Sequence, residues 1–365
     1  MRSLPLTWRG PLLLTLRLLV LGIGLGVITG TGLKLLAPQW ARPAAGGSTP
    51  VDGSQGPQGL TAPGGSVSLP RGRPMGHFEM RRELPELSKR WAELAAAQKD
   101  LQASAFLLVL DDGRFAQLQP DRPLPAASSI KSPILLAAME EFDAGRLAWN
   151  VPLPLTQEVI GGGAGWMGGQ AKGTRFPLYL AATEMIRVSD NTATNLLIKR
   201  LGGKTAVNGR FAQLGLTATV VRNWLPDLDG TNTTSSRDLA HTIALVDTGE
   251  KLSPRARDLF RETLSHSHTN TLIPLGLLHA LGKDAADPDS ELLAEGITVL
   301  NKTGDIGISY ADGALIELPD GRRAVAAFMV KGPFNDPRST NLIRAMAGAM
   351  VKVLVPAAYR PIGSR

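Results

Sequence analysis

Hydrophobic and polar positions follow three different patterns along the chain. From Leu18 to Leu33 the run LLVLGIGLGVITGTGL is uncharged and apolar, and Arg2, Arg9 and Arg17 precede it. Its 16 residues fall short of the ~20 that span a bilayer. Letting Arg17 and Lys34 lead their charges to the interface extends the stretch to Leu12–Leu36, which suffices. A membrane anchor is therefore expected over residues 1–36, with its arginines in the cytoplasm and everything later outside. A cleaved signal peptide is the competing reading, disfavoured because Pro43 interrupts the small-residue stretch ARPAAGG.

Residues 37–76 show almost no apolar periodicity and are rich in Pro, Gly and Ser, which predicts a tether. From residue 77 to about 362 the pattern turns globular. ELPELSKRWAELAAAQK (83–99) carries apolar residues at helical spacing. ASAFLLVLDDGRFAQLQ (103–119) is two β-rich runs around Asp-Asp-Gly, a hairpin signal. A mostly helical middle is expected from Lys131 to about Leu281. GALIELPDGRRAVAAFMVKG (313–332) then reads as a second hairpin around Pro-Asp-Gly, and STNLIRAMAGAMVKVL (339–354) as an amphipathic helix. Helices and hairpins at both ends around a helical middle predict an α+β domain. One antiparallel sheet is assembled from the two ends and flanked by helices, and the middle forms a helical lobe. A cleft between sheet and lobe is the expected place for a site.

Charge changes this picture only by exclusion. The net charge of +7 looks like a nucleic-acid signal, but seven basic side chains lie in residues 1–75 against Asp52 alone, a surplus of +6. The other 290 residues hold 32 basic and 31 acidic groups, which leaves +1 and no support for a polyanion-binding face. The chain has no cysteine, which excludes disulfides, thiolate metal sites and a cysteine nucleophile together.

Candidate chemistry begins at SSIKSPILLAAMEEFDAGRL (128–147), where Lys131 stands three residues after Ser128 at the mouth of a strongly apolar helix. Lysine is rarely buried without a partner. Either its charge reaches water, or the site wants an amine beside a hydroxyl. Positions i and i+3 of a helical turn share a side. A serine hydroxyl needs an adjacent base to become a nucleophile, and a desolvated lysine can serve. Pro133 prefers a first helical turn, so the regular helix is expected to begin there, with Ser128–Lys131 as a tight turn before it. Ser-x-x-Lys alone is a weak signal, expected about once by chance in such a chain.

Two further tripeptides have ordinary readings. Ser189-Asp190-Asn191 precedes a helical run and reads as an N-cap. Lys302-Thr303-Gly304 reads as the end of a strand before the second hairpin. The conjunction is not ordinary: the three motifs occur once each, in this order, 61 and then 113 residues apart. They are the trio of class A β-lactamases and penicillin-binding proteins, and the chain resembles that family over about residues 80 to 355. MIRVSDNTATNLL and KTGDIG are close to family wording, as are GRL and VPL after the first motif and TNTTSSRDLA before a later helix.

The resemblance implies a β-lactamase/transpeptidase-like fold and assigns roles residue by residue. Ser128 becomes the acylated nucleophile, Lys131 its proton partner, and Ser189 a relay toward the leaving nitrogen. Asn191 would hold the substrate's side-chain amide, and Lys302, Thr303 and Gly304 would line the carboxylate site. The backbone N–H groups of Ser128 and Asp305 would form the oxyanion hole. The implied substrates are β-lactams or D-Ala-D-Ala stem peptides of peptidoglycan, handled outside the inner membrane without cofactor or metal. A degenerate sensor that acylates once is the non-enzymatic alternative, disfavoured by the intact motifs and the short cytoplasmic tip.

Two departures from the family stand out. In VVRNWLPDLDGTNTTSSRDLA (220–240), Leu225 occupies the place of the Glu that activates the deacylating water, and Asp229 that of a later Asn. Asp227 and Asp229 are the nearest carboxylates, two and four residues out of register. Loss of the base predicts acylation with slow release. Asp305 adds a negative charge beside the carboxylate site. Trp166, in the Gly-rich GGGAGWMGGQ, is a candidate gate over the cleft. Arg338 is a candidate extra cation. His266 and His268 lack further ligands at metal spacing, and GGKT (202–205) lacks the first Gly of a phosphate loop.

Overall fold

A computed structural model of the chain describes residues 78–355. The chain divides into two units, Met1–Val67 and Ser68–Arg365, and the described residues all belong to the second. The expected anchor, the tether and the last residues of the 77–362 domain lie outside them. Among the described residues no helix is long and apolar enough to cross a membrane.

In chain order, β1 (Arg82–Glu83) and helix α1 (Pro85–Ala96) lead to the hairpin β2 (Gln102–Val109) and β3 (Arg114–Leu118). After β4 (Leu124–Pro125) come α2 (Lys131–Asp143), the short pair β5 (Pro152–Pro154) and β6 (Arg175–Pro177), then α3 (Leu178–Arg187), α4 (Asn191–Arg200) and α5 (Gly203–Gln213). β7 (Thr233–Thr234) precedes α6 (Ser236–Asp247), α7 (Pro254–Ser265), α8 (Ile273–Ala280) and α9 (Pro288–Ala294). Strands β8 (Thr298–Asp305), β9 (Ser309–Glu317) and β10 (Arg323–Lys331) are followed by α10 (Pro337–Ala349) and α11 (Val351–Leu354).

Six strands form one sheet in the order β1-β3-β2-β10-β9-β8. All its pairings are antiparallel except the two-residue β1 against β3. The two chain ends meet at the centre, where Phe106 pairs with Ala327 and Ala105 with Phe328. Both expected hairpins are present, β2–β3 and β9–β10. The central strands read as continuous apolar runs because both faces are covered. Phe106, Leu108, Val325 and Met329 join the core shared with the helical lobe. Their alternate neighbours Leu107, Val109, Ala326 and Phe328 pack with α1, α8 and α10. Trp91 of α1 is fully buried there, edge-on to Phe328, and its indole donates to the Met346 carbonyl at 2.8 Å.

The helical middle departs from expectation at its end. Ile273, Leu277 and Leu278 of α8 pack in the sheet's other core, with α10, rather than in the lobe. Apolar periodicity shows that a helix has a buried face, but not which layer buries it. β8 is left as a free sheet edge, and Ser128 lies beside that edge.

Candidate active site

Ser128 sits in a single 3₁₀ turn, Ala127–Ile130, that runs straight into α2. Regular helix begins at Lys131, two residues earlier than Pro133 suggested; Pro133 still falls within the first turn, where its missing N–H is not needed. Ala127 enters the turn at φ 47°, a left-handed conformation uncommon for a residue with a side chain. That reversal presents Ser128 half-buried at the cleft while Lys131, one turn on, is buried completely.

Lys131 Nζ has four oxygen neighbours. They are Ser128 Oγ at 2.8 Å, Ser189 Oγ at 2.9 Å, the Ser189 carbonyl at 2.6 Å and Asn191 Oδ1 at 2.9 Å. The two carbonyl-type oxygens only accept, so each claims an N–H. A neutral amine has two N–H bonds, which satisfies both and leaves one lone pair for a hydroxyl proton from Ser128 or Ser189. Burial holds the Lys131 pKa well below the usual lysine value, and the positive Lys302 adds to this against the opposing pull of Asp190. The environment therefore favours a base. Proximity and desolvation act on the same atom.

Ser189 and Asn191 are delivered by the junction of α3 and α4. Ser189 takes φ 60°, and Asp190 caps α4 by accepting from Ala193 N–H at 2.8 Å. The N-cap reading of Ser-Asp-Asn is therefore right for Asp190, while its two neighbours turn toward Lys131. The second carboxylate oxygen of Asp190 accepts from the N–H groups of Trp166 and Met167 at 2.7 and 2.9 Å. This pulls the Gly-rich loop against α4. Gly165 is required there, since a Cβ would stand 2.2 Å from the carboxylate.

Strand β8 brings the third motif. Gly304 lies so close to the turn that carries Ser128 that a Cβ would meet the Ala126 carbonyl and the Ser129 nitrogen at 2.8 Å and the Ser128 nitrogen at 2.9 Å. Ile306 N–H bonds the Ser309 carbonyl, closing a tight turn that contains Gly307 at φ 76°. Bonded pairs alternate along an antiparallel ladder, so Asp305 N–H, one residue back, points out from the free edge. The Ser128 and Asp305 amides thus border one space. The Asp305 carboxylate is exposed and bends back to accept from Gly307 N–H at 2.8 Å. Lys302 is 1% exposed and Thr303 8%. Burial lowers the Lys302 pKa to about 8, and the charge of Asp312 partly restores it.

A cavity of about 210 Å³ opens at Ser128, Asn191 and Asp305, lined also by Gly163, Ala164 and the 225–228 segment, whereas Lys131, Ser189, Lys302 and Thr303 are not part of its lining. Leu225 is buried in its wall. Asp227 also reaches the cavity, but its carboxylate accepts from Thr231 Oγ1 at 2.8 Å and Asn232 N–H at 2.6 Å within its own loop. Asp229 is exposed to solvent.

The sequence profile of the Beta-lactamase enzyme family matches residues 86–354. The chain belongs to this family. The β-lactamase of Rhodobacter capsulatus is 32% identical over 175 residues, 43% of this chain and 54% of that protein. That of Streptomyces fradiae is 26% identical over 268 residues, covering 69% and 81%. The chain spans about half the length of the first of these curated relatives. Among solved structures, PBP-A is 39% identical with a TM-score of 0.69, over 75% of this chain and 97% of that one. A leucine-to-glutamate variant of PBP-A, solved as the acyl-enzyme with penicillin G, is 38% identical with a TM-score of 0.69 over 75% and 98%. The β-lactamase of Sphaerobacter thermophilus, 24% identical with a TM-score of 0.62 over 73% and 98%, shares the fold. The fold is the β-lactamase/transpeptidase-like α+β fold.

The remaining candidates sort by geometry. Trp166, which the sequence offered as a gate, does not line the cavity. Its indole donates to Glu184 at 2.7 Å and its ring stands edge-on to Phe176, so Gly163 and Ala164 form the wall instead. Arg338 pairs with Asp336 at 2.6 Å at the start of α10. His266 donates from Nδ1 to its own helix at the Glu262 carbonyl, and no group of three metal-ligating side chains occurs among the described residues. Lys204 of GGKT donates to the Arg222 carbonyl and lies over Trp224.

Sequence reasoning missed Asn195 and Asp312. Asn195 stands one turn after Asn191 on α4, a spacing that could have been read. Asp312 is a lone carboxylate in the apolar run YADGALI, an anomaly that could have been questioned.

Proposed function

We propose that this member of the family is a serine acyl-transfer enzyme, acylated by β-lactams at Ser128 and slow to release the acyl group. The observation that carries this is the four-oxygen environment of Lys131, which supports a neutral amine poised to take the Ser128 proton. Ser128 Oγ attacks the lactam carbonyl as its proton passes to Lys131. The Ser128 and Asp305 amides stabilise the developing oxyanion. As the C–N bond breaks, Ser189 Oγ delivers a proton to the leaving nitrogen and is resupplied by Lys131. Lys302 and Thr303 hold the substrate carboxylate, and Asn191 its side-chain amide.

Release needs a water activated by a base. Leu225 offers none, and the Asp227 carboxylate is engaged within its own loop. This favours a second reading of the physiological substrate, an acyl-D-Ala-D-Ala stem peptide cleaved or transferred by a peptidase or transpeptidase. The similarity to PBP-A, a variant of which was solved as its acyl-enzyme with penicillin G, supports acylation by a β-lactam under either reading. Attachment to the inner membrane through residues 1–36, with the domain outside, is proposed with it.

The test is acylation of the full-length chain by a chromogenic cephalosporin, with Ser128→Ala as control. One stoichiometric burst, seen as an adduct on Ser128 by mass spectrometry, supports slow release. Sustained turnover lost in the mutant makes the protein an efficient β-lactamase. No Ser128-dependent reaction overturns the proposal.

A further inference from the structure

Among the described residues Asp312 is the one carboxylate that acts on Lys302; it is fully buried, and the mechanism above leaves it without a role. It lies on β9 directly opposite Thr303, whereas Lys302 pairs with Gly313. Successive side chains point to opposite faces, so Asp312 shares its face with Thr303 and Asn301, and Lys302 emerges from the other. Both Asp312 oxygens accept from Asn301 Nδ2, at 2.9 and 3.1 Å, and one accepts from Ile273 N–H at 2.9 Å. Asn301 Nδ2 also donates to the Thr269 carbonyl at 2.9 Å. The carboxylate therefore ties the Asn301–Thr303 segment of β8 to the chain entering α8.

On its own face Lys302 has little to hold its charge. Its ammonium donates to the Thr303 carbonyl at 3.0 Å and forms no ion pair among the described residues. Lys131, close by, supplies no counter-charge. A buried ammonium without a counter-charge tends to lose its proton.

We infer that Asp312 is a positioning residue for the substrate-carboxylate site: from behind β8 it holds Asn301–Thr303 in place and supplies the counter-charge that keeps Lys302 cationic. The inference rests on the proposed role of Lys302 in binding a substrate carboxylate. Asn301 from β8 and the amide of Ile273 from α8 face Asp312 directly, and the charged groups that act on it are Lys302, through β8, and Asp289 from α9. Burial pushes the Asp312 carboxyl up to about 7, so it is ionised above neutrality, where Lys302, at about 8, begins to lose its proton. Removing the carboxylate lets Lys302 deprotonate at lower pH. Below about pH 6 Asp312 is itself protonated, and the isosteric Asp312→Asn should then behave like the parent.

The experiment is an NMR titration of the full-length chain labelled at lysine Cε, with the Lys302 signal assigned by its loss in Lys302→Arg. The Lys302 midpoint is expected to fall by roughly one pH unit in Asp312→Asn. In parallel, acylation by a carboxylate-bearing β-lactam should drop roughly fivefold at pH 8, where the cationic share of Lys302 falls from about a half to about a tenth, and stay nearly unchanged at pH 6. A neutral thioester donor without a carboxylate should be unaffected at both. An unmoved midpoint, or equal losses for both donors, overturns the inference. If Asp312→Asn does not fold, the parent decides: its Lys302 signal must carry a second inflection where Asp312 ionises, and a single inflection overturns the inference. A parent inert to every β-lactam defeats the proposed function, whereas the titration still decides whether Asp312 holds the Lys302 proton.

Discussion

The side-chain amide of Asn195 closes on both backbone groups of Leu225. Its Oδ1 accepts from Leu225 N–H at 2.9 Å and its Nδ2 donates to the Leu225 carbonyl at 2.7 Å. Gly161 stands on the far side, where a Cβ would lie 2.4 Å from that carbonyl. Leu225, which lines the cavity with Ser128, is thus held by the helix that also carries Asn191.

Asn195→Ala strands a buried N–H and a buried carbonyl at Leu225. An unsatisfied buried group costs about 1–3 kcal/mol, so a loss of roughly 2–4 kcal/mol is expected, read as a lower denaturant midpoint at unchanged slope. A midpoint within error of the parent's would show that water replaces the amide.

Leu225→Glu returns a carboxylate to the cavity wall. General-base assistance is worth roughly 10²–10⁴, and the lower end is expected here because the Asn partner found in the family is Asp229. The acyl-enzyme lifetime, followed by intact mass, should shorten about a hundredfold. Stability should fall, because the leucine it replaces is 4% exposed and a buried charge is costly. An unchanged lifetime would mean that Leu225 is not what slows release.

Gly304→Ala forces a methyl into backbone atoms of the nucleophile's turn rather than into a yielding side chain. Displacing the Ser128 amide should cost acylation roughly 10²–10³, the loss typical of one oxyanion donor. Stopped-flow acylation measures it. A loss below tenfold would place the oxyanion elsewhere.

The pH profile of acylation should be bell-shaped for a carboxylate-bearing substrate. Lys131 works as the neutral amine, so the rate falls on the acid side as it gains a proton; its lowered pKa keeps that limb far below the usual lysine range. Lys302 works as the cation, so the rate falls again above about pH 8 as it loses one. An uncharged donor should keep the acid limb and lose the alkaline one. Rates that climb steadily to pH 10 with the β-lactam would contradict the Lys302 assignment.

Short-range features were legible without coordinates. Ser128 and Lys131 meet because three residues make nearly one helical turn, whether the turn is 3₁₀ or α. Asp-Asp-Gly and Pro-Asp-Gly announced their hairpins, and the three motifs in order announced the family. The side to which α8 packs was not legible, since one apolar stripe fits either face of a sheet. Nor was the direction of Trp166, which depends on Glu184 and Phe176 from a different stretch of chain.

By itself the sequence singled out Ser128, Lys131, Ser189, Asn191 and Lys302 as candidates, because local spacing and the order of three short motifs are written in it. Only the tertiary structure decided what state they are in. Lys131 is completely buried, with its pKa held well below the usual lysine value, among oxygens supplied 58 and 60 residues later in the chain. Asp305 presents its amide to the cleft, and its carboxylate to its own turn, because of the register of β8 on β9. Leu225 lines the cavity beside Ser128, where Asn195 pins its backbone. Burial and register are sums over contacts distant in sequence, and no local spacing encodes them.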